Sequence, residues 1–563
     1  MTPIRWILLV PALIGLAGPS LAQGGESKPR SREDLRAALQ GLADRIERGE
    51  GAGKERPKGS PGTLEADMAD GNARLERQDW EGAIACLTRA IEKAPGNASA
   101  RLLRAFAKRM MGDFDGAIAD SNRAIEIDPR NPVAYNQRGL ARLSQGRARE
   151  ALVDFSRALE LDSQFAVVYV NRGATRRVLG TADASLADLN RAIELDPKSA
   201  DAYYQRGLTR RELGDWDGAA ADFSTAAAFN PKHAMALYHR AVVKRRRGDP
   251  LGAVADLNGA IQIDPRCAEA YNLRALIREN LGNHEEARVD YDAAIRLAPT
   301  NAVYYLNRGT LRQDMNDIAG ARADLDRAIQ LDPRSAPAYR ARAEHLGSQG
   351  DVKKALADAD RAVELEPRSA DAYSTRAGVR AIAADLDGAL ADMDQAITLQ
   401  PGSVLSFVRR GLVRLERGDL NEAEADFRKV DSMMPPGADF FRITQWSVRC
   451  RMGQKPAADK SLEALLLQAE GRKDKLWDKT VLMYLLGKSS EQDLLDATAV
   501  TAKEGDENYS CQVWYFFGLK RLHDGDRGRA EEAFRKCESF RKGYPFVREA
   551  ARCELRILTR SRP

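Results

Sequence analysis

Histidine and cysteine are both scarce in this sequence, and neither builds a recognisable reactive motif. The five histidines are widely separated and never stand in an HExxH or paired-ligand arrangement, and no CxxC or Cys/His cluster has zinc-ligand spacing. A glycine-rich phosphate loop and a GxSxG nucleophile elbow are also missing. We therefore predict that the protein is not an enzyme and that it holds no metal and no cofactor.

An excess of charge of either sign is missing as well. The 87 Lys and Arg residues nearly balance 82 Asp and Glu residues, which leaves a formal charge of +5 over 563 residues. Nucleic-acid binders usually concentrate a basic excess, so this composition argues against a nucleic-acid partner.

Long apolar runs are confined to the N-terminus. Arg5 precedes the apolar run 7–17, and the small-x-small pattern at 20–22 predicts cleavage before Gln23. The run is shorter than the roughly 20 residues that a membrane span needs, although an uncleaved anchor is the alternative interpretation. Because the first cysteine is Cys86, we expect no lipid anchor. Residues 1–22 thus predict a signal peptide and an exported, periplasmic protein.

Four of the six cysteines fall within the last 114 residues, which raises the prospect of a disulfide there. They are Cys450, Cys511, Cys537 and Cys553. Four cysteines allow three full pairings, and the sequence does not choose among them. The alternative is that they are small buried apolar residues.

What the sequence has in abundance is a repeat. From Pro95 to Pro435 a proline recurs every 34 residues, and only Ser163 interrupts the series, on the same grid. A fixed period of this length is typical of stacked supersecondary units. Eleven consecutive units fill residues 64–437 without an insertion.

The residue pattern within each unit predicts two helices, as residues 200–233 illustrate. A first helix starts near Asp201 and ends at Gly214, because glycine adopts the left-handed conformation most easily. Asp215 can cap the second helix, and Pro231 stops it, since proline lacks the backbone donor. Small residues recur at Gly71 and Ala83 and every 34 residues thereafter, with large residues between them. Alternating small and large side chains allow paired helices to interlock.

This pattern of an aromatic, a small residue four positions on, then Ala, aromatic, Ala and Pro resembles the tetratricopeptide-repeat family. The resemblance implies an all-α, right-handed superhelical solenoid of helix pairs, with the first helices lining a concave groove. The first two units depart from the pattern, with Asp67 and Arg101 where the aromatic belongs, and we expect them to be capping units.

Arginine recurs ten times just before the first small position, and aspartate recurs ten times sixteen residues later. This spacing predicts structural ion pairs across each hairpin, such as Arg240 with Asp256 and Arg274 with Asp290. The alternative is an arginine ladder for an acidic partner. If the pairs are exposed, each contributes less than about 1 kcal/mol.

By the same resemblance, first-helix positions after the aromatic line the groove, and units four to six are the richest in polar and aromatic side chains. Amides can bind a peptide backbone, tyrosine provides contact area and arginine binds carboxylates. The alternative is that these are ordinary solvated or inter-repeat polar residues. The predicted partner-binding residues are Asn171, Tyr204, Gln205, Arg211, Tyr238, His239, Arg245 and Arg246.

Two flanks accompany the array. In residues 23–63 we predict a short helix over 31–48 and a linker over 50–62. In residues 438–563, the segments YLLGKSSEQDLL and WYFFGLKRLHDGDRGRAEEAFRKC resemble NlpI-type envelope lipoproteins. That resemblance implies an adaptor of the cell envelope. A last helix over 545–558 is expected to cover the exposed end of the array.

Together these patterns predict an exported scaffold that binds other proteins or peptides in the groove of the array. The alternative is a self-associating spacer without a specific peptide ligand, and a homo-oligomer is compatible with both hypotheses.

Overall fold

The computed structural model describes residues 63–433, 439–469, 476–501, 507–540 and 545–560. These residues form twenty-nine helices and no strand, so the predicted all-α fold of stacked helix pairs is confirmed. The predicted signal peptide, the helix over 31–48 and the linker over 50–62 lie outside the described residues.

The chain divides into two compact units, residues 1–299 and 300–563. The first unit contains α1 (Leu64–Glu76), α2 (Trp80–Lys93), α3 (Ala98–Met110), α4 (Phe114–Ile127), α5 (Pro132–Ser144), α6 (Ala148–Leu161), α7 (Ala166–Val178), α8 (Ala182–Leu195), α9 (Ala200–Glu212), α10 (Trp216–Phe229), α11 (Ala234–Arg246), α12 (Pro250–Ile263), α13 (Ala268–Asn280) and α14 (His284–Leu297).

The second unit contains α15 (Ala302–Asp314), α16 (Ile318–Leu331), α17 (Ala336–Ser348), α18 (Val352–Leu365), α19 (Ala370–Ile382), α20 (Leu386–Leu399), α21 (Val404–Arg417), α22 (Leu420–Met433), α23 (Asp439–Arg451), α24 (Lys455–Ala469), α25 (Leu476–Leu485), α26 (Glu491–Thr501), α27 (Glu507–His523), α28 (Arg527–Ser539) and α29 (Pro545–Arg560). In both units each first helix packs against the helix that follows it.

The turn inside each hairpin has a uniform geometry with a clear cause. Gly214 ends α9 with φ +81°, and the Asp215 side chain then accepts a hydrogen bond from the Gly218 amide at 2.8 Å. This capping satisfies a backbone donor at the start of α10 that has no partner within the helix. Three other repeats have a residue other than glycine at this turn position. These residues are Gln78, Asn316 and Ala384, and all three have a positive φ.

The glycines on the first helices permit close helix contact. A Cβ added to Gly207 would lie 2.8 Å from the ring of Phe223, which is fully buried. The same conflict recurs between Gly139 and Phe155, so the small and large columns interlock as the sequence pattern predicts.

The C-terminal part of the second unit is a helical module whose large core continues into α21 and α22. Ser490 caps α26, since its hydroxyl accepts from the Asp493 amide while the Asp493 carboxylate accepts from the Ser490 amide. The last helix does not simply cover an exposed end. Helix α29 packs against α21, where Cys553 Sγ lies 3.3 Å from the carbonyl oxygen of Leu412.

Candidate partner-binding site

Three of the predicted groove residues are buried between neighbouring first helices of the first unit. Asn171 is 0%, Tyr204 2% and Gln205 2% exposed. The Asn171 amide donates to Asn136 Oδ1 at 3.0 Å, which joins α7 to α5. Their prediction as groove-lining residues therefore needs correction, because adjacent first helices approach closely enough to enclose these side chains.

The other five predicted residues lie at the surface of α9 and α11. Arg211, Tyr238 and His239 are half-buried, and Arg245 and Arg246 are exposed. We refer to Arg211, Tyr238, His239 and Arg245 as the Arg211 cluster.

The Arg211 cluster is held together by a hydrogen bond between two helices. Arg211 Nη1 lies 2.8 Å from His239 Nδ1, and because arginine can only donate, this His239 nitrogen accepts. Burial lowers the pKa of His239 well below its usual value, and the positive charges of Arg211, His233 and Arg177 lower it further. His239 is therefore neutral at pH 7.

Aromatic rings surround this hydrogen bond. The His239 ring lies 5.0 Å from Tyr238, 5.6 Å from Phe223 and 5.8 Å from Tyr204, measured between centroids. Burial raises the pKa of Tyr238 to about 12, although Arg211 and Arg245 both favour the phenolate.

A further basic side chain, Arg177, lies buried next to the cluster. The Arg177 side chain is 7% exposed, and its Nη1 donates to Glu212. Its Nε and Nη2 are buried without a hydrogen-bond partner. Arg177, Arg211 and Arg245 occupy the same position in three successive repeats.

The run 244–247 divides into paired and unpaired cations. Lys244 lies 3.0 Å from Asp256, and Arg247 lies 3.2 Å from Asp217. The guanidinium of Arg246 stacks 4.3 Å from the centroid of Trp216. Across the described residues, neither Arg245 nor Arg246 makes an ion pair with a carboxylate, and the same holds for Arg211.

The second arginine column has a different environment. Arg240 Nη2 lies 2.6 Å from Asp256 Oδ1, and its Nε lies 2.8 Å from Oδ2. Arg274 contacts Asp290 in the same bidentate way at 2.6 and 2.8 Å. The Asp256 side chain is only 6% exposed, so the assumption of exposed pairs was wrong.

All ten predicted pairs are present with this spacing. They are Arg104–Asp120, Arg138–Asp154, Arg172–Asp188, Arg206–Asp222, Arg240–Asp256, Arg274–Asp290, Arg308–Asp324, Arg342–Asp358, Arg376–Asp392 and Arg410–Asp426. Because their charge is neutralised internally, these arginines do not form a ladder for a partner.

Comparison with known families identifies the repeat. Models described as "TPR repeat" and "Tetratricopeptide repeat" match residues 107–146, and residues 204–265, 268–301 and 306–372, respectively. These parts of the chain match tetratricopeptide repeats. No curated protein matches the chain.

Several solved structures are also similar to this chain. The APC/C hetero-tetramer Cut9–Hcn1 matches at 14% identity and TM-score 0.42, over 87% of this chain and 96% of that one. Yeast Tom70 matches at 16% identity and TM-score 0.37, over 74% of this chain and 98% of that one. YrrB is described as a TPR protein with an unusual peptide-binding site. It matches at 26% identity and TM-score 0.27, over 33% of this chain and 95% of that one. These similarities concern the fold alone.

In the eleventh tetratricopeptide repeat the corresponding face is occupied by the chain itself. Arg409 and Glu416 lie on α21 at the repeat positions that Gln205 and Glu212 hold on α9. Arg409 contacts Glu549 of α29 at 3.0 Å, and Glu416 contacts Arg556 at 2.7 Å. The inner face of this repeat thus binds an α-helix of the same chain.

Within the described residues, no cluster of His, Cys, Asp and Glu could hold a metal ion. None of the described helices is both long and apolar enough to span a bilayer.

Proposed function

We propose that this protein is a non-enzymatic interaction scaffold, and that it binds a segment of a partner protein at the Arg211 cluster and the adjacent Arg246. The observation that carries the proposal is the concentration there of accessible aromatic and cationic side chains. Arg211, Arg245 and Arg246 have no carboxylate partner in the described structure, in contrast to the neutralised arginine column beside them.

The chemistry of this surface suits a peptide. Tyr238 offers a large, rigid contact area at a low cost in conformational entropy, and guanidinium groups bind carboxylates in a bidentate way. The docking of α29 on α21 supports the proposal, because it gives an example of the equivalent repeat positions binding a chain segment through ion pairs.

The setting that we propose is the periplasm. The apolar run 7–17 and the small-x-small pattern at 20–22 support export by a cleaved signal peptide. The resemblance of residues 438–563 to NlpI-type proteins supports an adaptor role in the cell envelope. The near-balanced charge favours protein partners over nucleic acids.

A photo-crosslinking residue at Tyr238, in cells, tests this function. The matched control is Leu251, which is 72% exposed on α12, the second helix of the same repeat. We expect one or two dominant partner proteins at position 238 and none of them at position 251. Self-adducts alone at position 238 would contradict the proposal and support the self-associating spacer instead, while adducts at neither position would also contradict it.

A further inference from the structure

We infer that the partner segment recognised at the Arg211 cluster is acidic, with Asp or Glu side chains that bind Arg211, Arg245 and Arg246. This inference rests on the proposed function and specifies the chemistry of the partner. It follows from the charge balance of the face formed by α9 and α11.

Three carboxylates near this face are already engaged. Glu212 binds the buried Arg177, and Asp201 lies 3.7 Å from His233 Nε2. Asp256 takes up the charges of Arg240 and Lys244. The guanidinium groups of Arg211, Arg245 and Arg246 are therefore left for an external anion.

The cluster is also prepared to receive a carboxylate. Arg211 is held by His239, so little conformational freedom is lost when it binds. The half-buried aromatic surroundings lower the local dielectric constant and strengthen an ion pair with a partner. Arg177, whose charge is paired with Glu212, lies buried nearby, and its Nε and Nη2 donors have no hydrogen-bond partner.

Fluorescence anisotropy with synthetic probes tests the inference. The probes are fluorescein-labelled peptides of twelve residues, alternating Ala with Glu, Gln or Lys. We expect the Glu peptide to bind at least tenfold more tightly than the Gln peptide, and the Lys peptide not to bind. The double variant R211Q/R245Q should lose at least tenfold in affinity for the Glu peptide.

The control is R157Q/R191Q, which changes the net charge equally. Arg157 and Arg191 pair with Glu160 and Glu194 on the exposed sides of α6 and α8, and the control should bind like the wild type. Equal affinity for Glu and Gln peptides, or equal losses in the two double variants, would overturn the inference. So would displacement of the Glu peptide by low concentrations of an oligothymidylate, which would indicate a phosphate site.

Failure of this inference and failure of the proposed function are distinguishable. A partner cross-linked at Tyr238 that binds R211Q/R245Q as tightly as the wild type would retain the scaffold and reject the acidic segment. Absence of any cross-linked partner would reject the scaffold itself.

A second inference comes from two thiols in the C-terminal module. Cys511 Sγ and Cys537 Sγ lie 3.3 Å apart, and both side chains are fully buried between α27 and α28. We propose that Cys511 and Cys537 form a disulfide when the protein is exposed to a small-molecule disulfide. Among the four C-terminal cysteines, the structure brings this pair of sulfurs into contact.

The reaction is a thiol–disulfide exchange in two steps. One thiolate attacks the sulfur of glutathione disulfide, forms a mixed disulfide and releases one glutathione thiolate. The second cysteine, as thiolate, then attacks the protein sulfur and displaces the other glutathione. Two protein thiols are oxidised, one glutathione disulfide is reduced to two thiols, and the two thiol protons pass to the glutathione thiolates.

Burial and the contact between the two sulfurs also govern the timing. The hydrogen bond with Cys511 and burial both raise the pKa of Cys537, so little of it is thiolate in the folded protein. We therefore expect the bond to form during refolding faster than after folding is complete.

Thiol counting after refolding with glutathione disulfide tests this second inference. Alkylation of the denatured full chain should modify four of its six cysteines, and peptide mapping should join position 511 to position 537. The variant C511S should keep five alkylatable cysteines, while C450S should keep three. Six alkylated cysteines in the wild type, or a mapped bond between other cysteines, would overturn the inference.

Discussion

The aspartates that recur in the second helices are buried, so their ion pairs with arginine contribute to the stability of the fold. Asp256 is bound by the fork of Arg240 and by Lys244, and almost none of its side chain reaches solvent. Removing one partner of a buried pair leaves a desolvated charge that is only partly compensated.

We therefore expect Arg240→Ala to lower the free energy of unfolding by about 2 to 3 kcal/mol, less than for a fully unpaired charge because Lys244 remains. Urea denaturation followed by circular dichroism measures this change. Arg157→Ala, which removes a surface pair, should leave the free energy of unfolding nearly unchanged. Equal effects of the two substitutions would contradict the importance of burial.

His523 gives the protein a pH-dependent stability. Its ring packs against Trp446 at 5.0 Å, and burial, together with the charges of Arg451 and Lys455, lowers its pKa to about 4. Between pH 4 and the usual histidine value of about 6.5, the unfolded chain binds a proton that the folded chain does not. Stability contributed by this group is thus present above pH 6.5 and is lost as the pH falls toward 4.

We expect the free energy of unfolding to fall by up to about 1.4 kcal/mol per pH unit through this window. His523→Gln should remove that share, because glutamine does not titrate. Urea midpoints are measured for the wild type and the variant at pH 5 and at pH 7. The difference between the two proteins in their change with pH gives the contribution of His523 alone, because the other histidines are common to both. An unchanged pH dependence in the variant would contradict the assignment.

At the scale of the helical elements, the hairpin turn repeats one backbone conformation with different residues. Gly350 has φ +80°, and Ala384, one repeat later, has φ +64°. A Cβ added at Gly350 would meet no atom within 4 Å, so the difference between the two residues is one of backbone preference and not of space.

Ala384→Gly should therefore raise the free energy of unfolding by about 0.5 to 1 kcal/mol, since relief of the left-handed strain exceeds the entropy gained by the unfolded chain. Gly350→Ala is the reverse substitution at the equivalent turn and should lower it by about 1 kcal/mol. Thermal midpoints measured side by side test both. Shifts of the same sign would contradict the conformational argument.

The elements were readily predicted from the sequence because their determinants are local. Gly214 and Pro231 end helices through their backbones, Asp215 caps a helix through its side chain, and the repeat spacing fixes the pairing of Arg240 with Asp256. The C-terminal module contains the same kind of local signal, since Ser490 caps α26.

The candidate site was less predictable because it depends on packing between repeats. Whether Asn171 and Tyr204 are open to solvent is decided by the closeness of neighbouring first helices, which a single repeat does not encode. The contact of α29 with α21 joins residues 140 positions apart, and the contact of Cys511 with Cys537 depends on side-chain direction. None of these has a local signature.

At the scale of the whole molecule, the account distinguishes two uses of the same repeat surface. In the eleventh repeat the inner face binds α29 of its own chain through Arg409 and Glu416. In repeats five and six the corresponding region leaves Arg211, Arg245 and Arg246 without carboxylate partners among the described residues. We expect the second region to be the one that serves a partner.

Comparison of the cross-linked products from positions 238 and 251, within the same repeat, tests this central claim most directly. The account predicts a dominant partner protein attached through position 238 and absent from position 251. The same partner attached equally through both positions, or no partner at position 238, would contradict it.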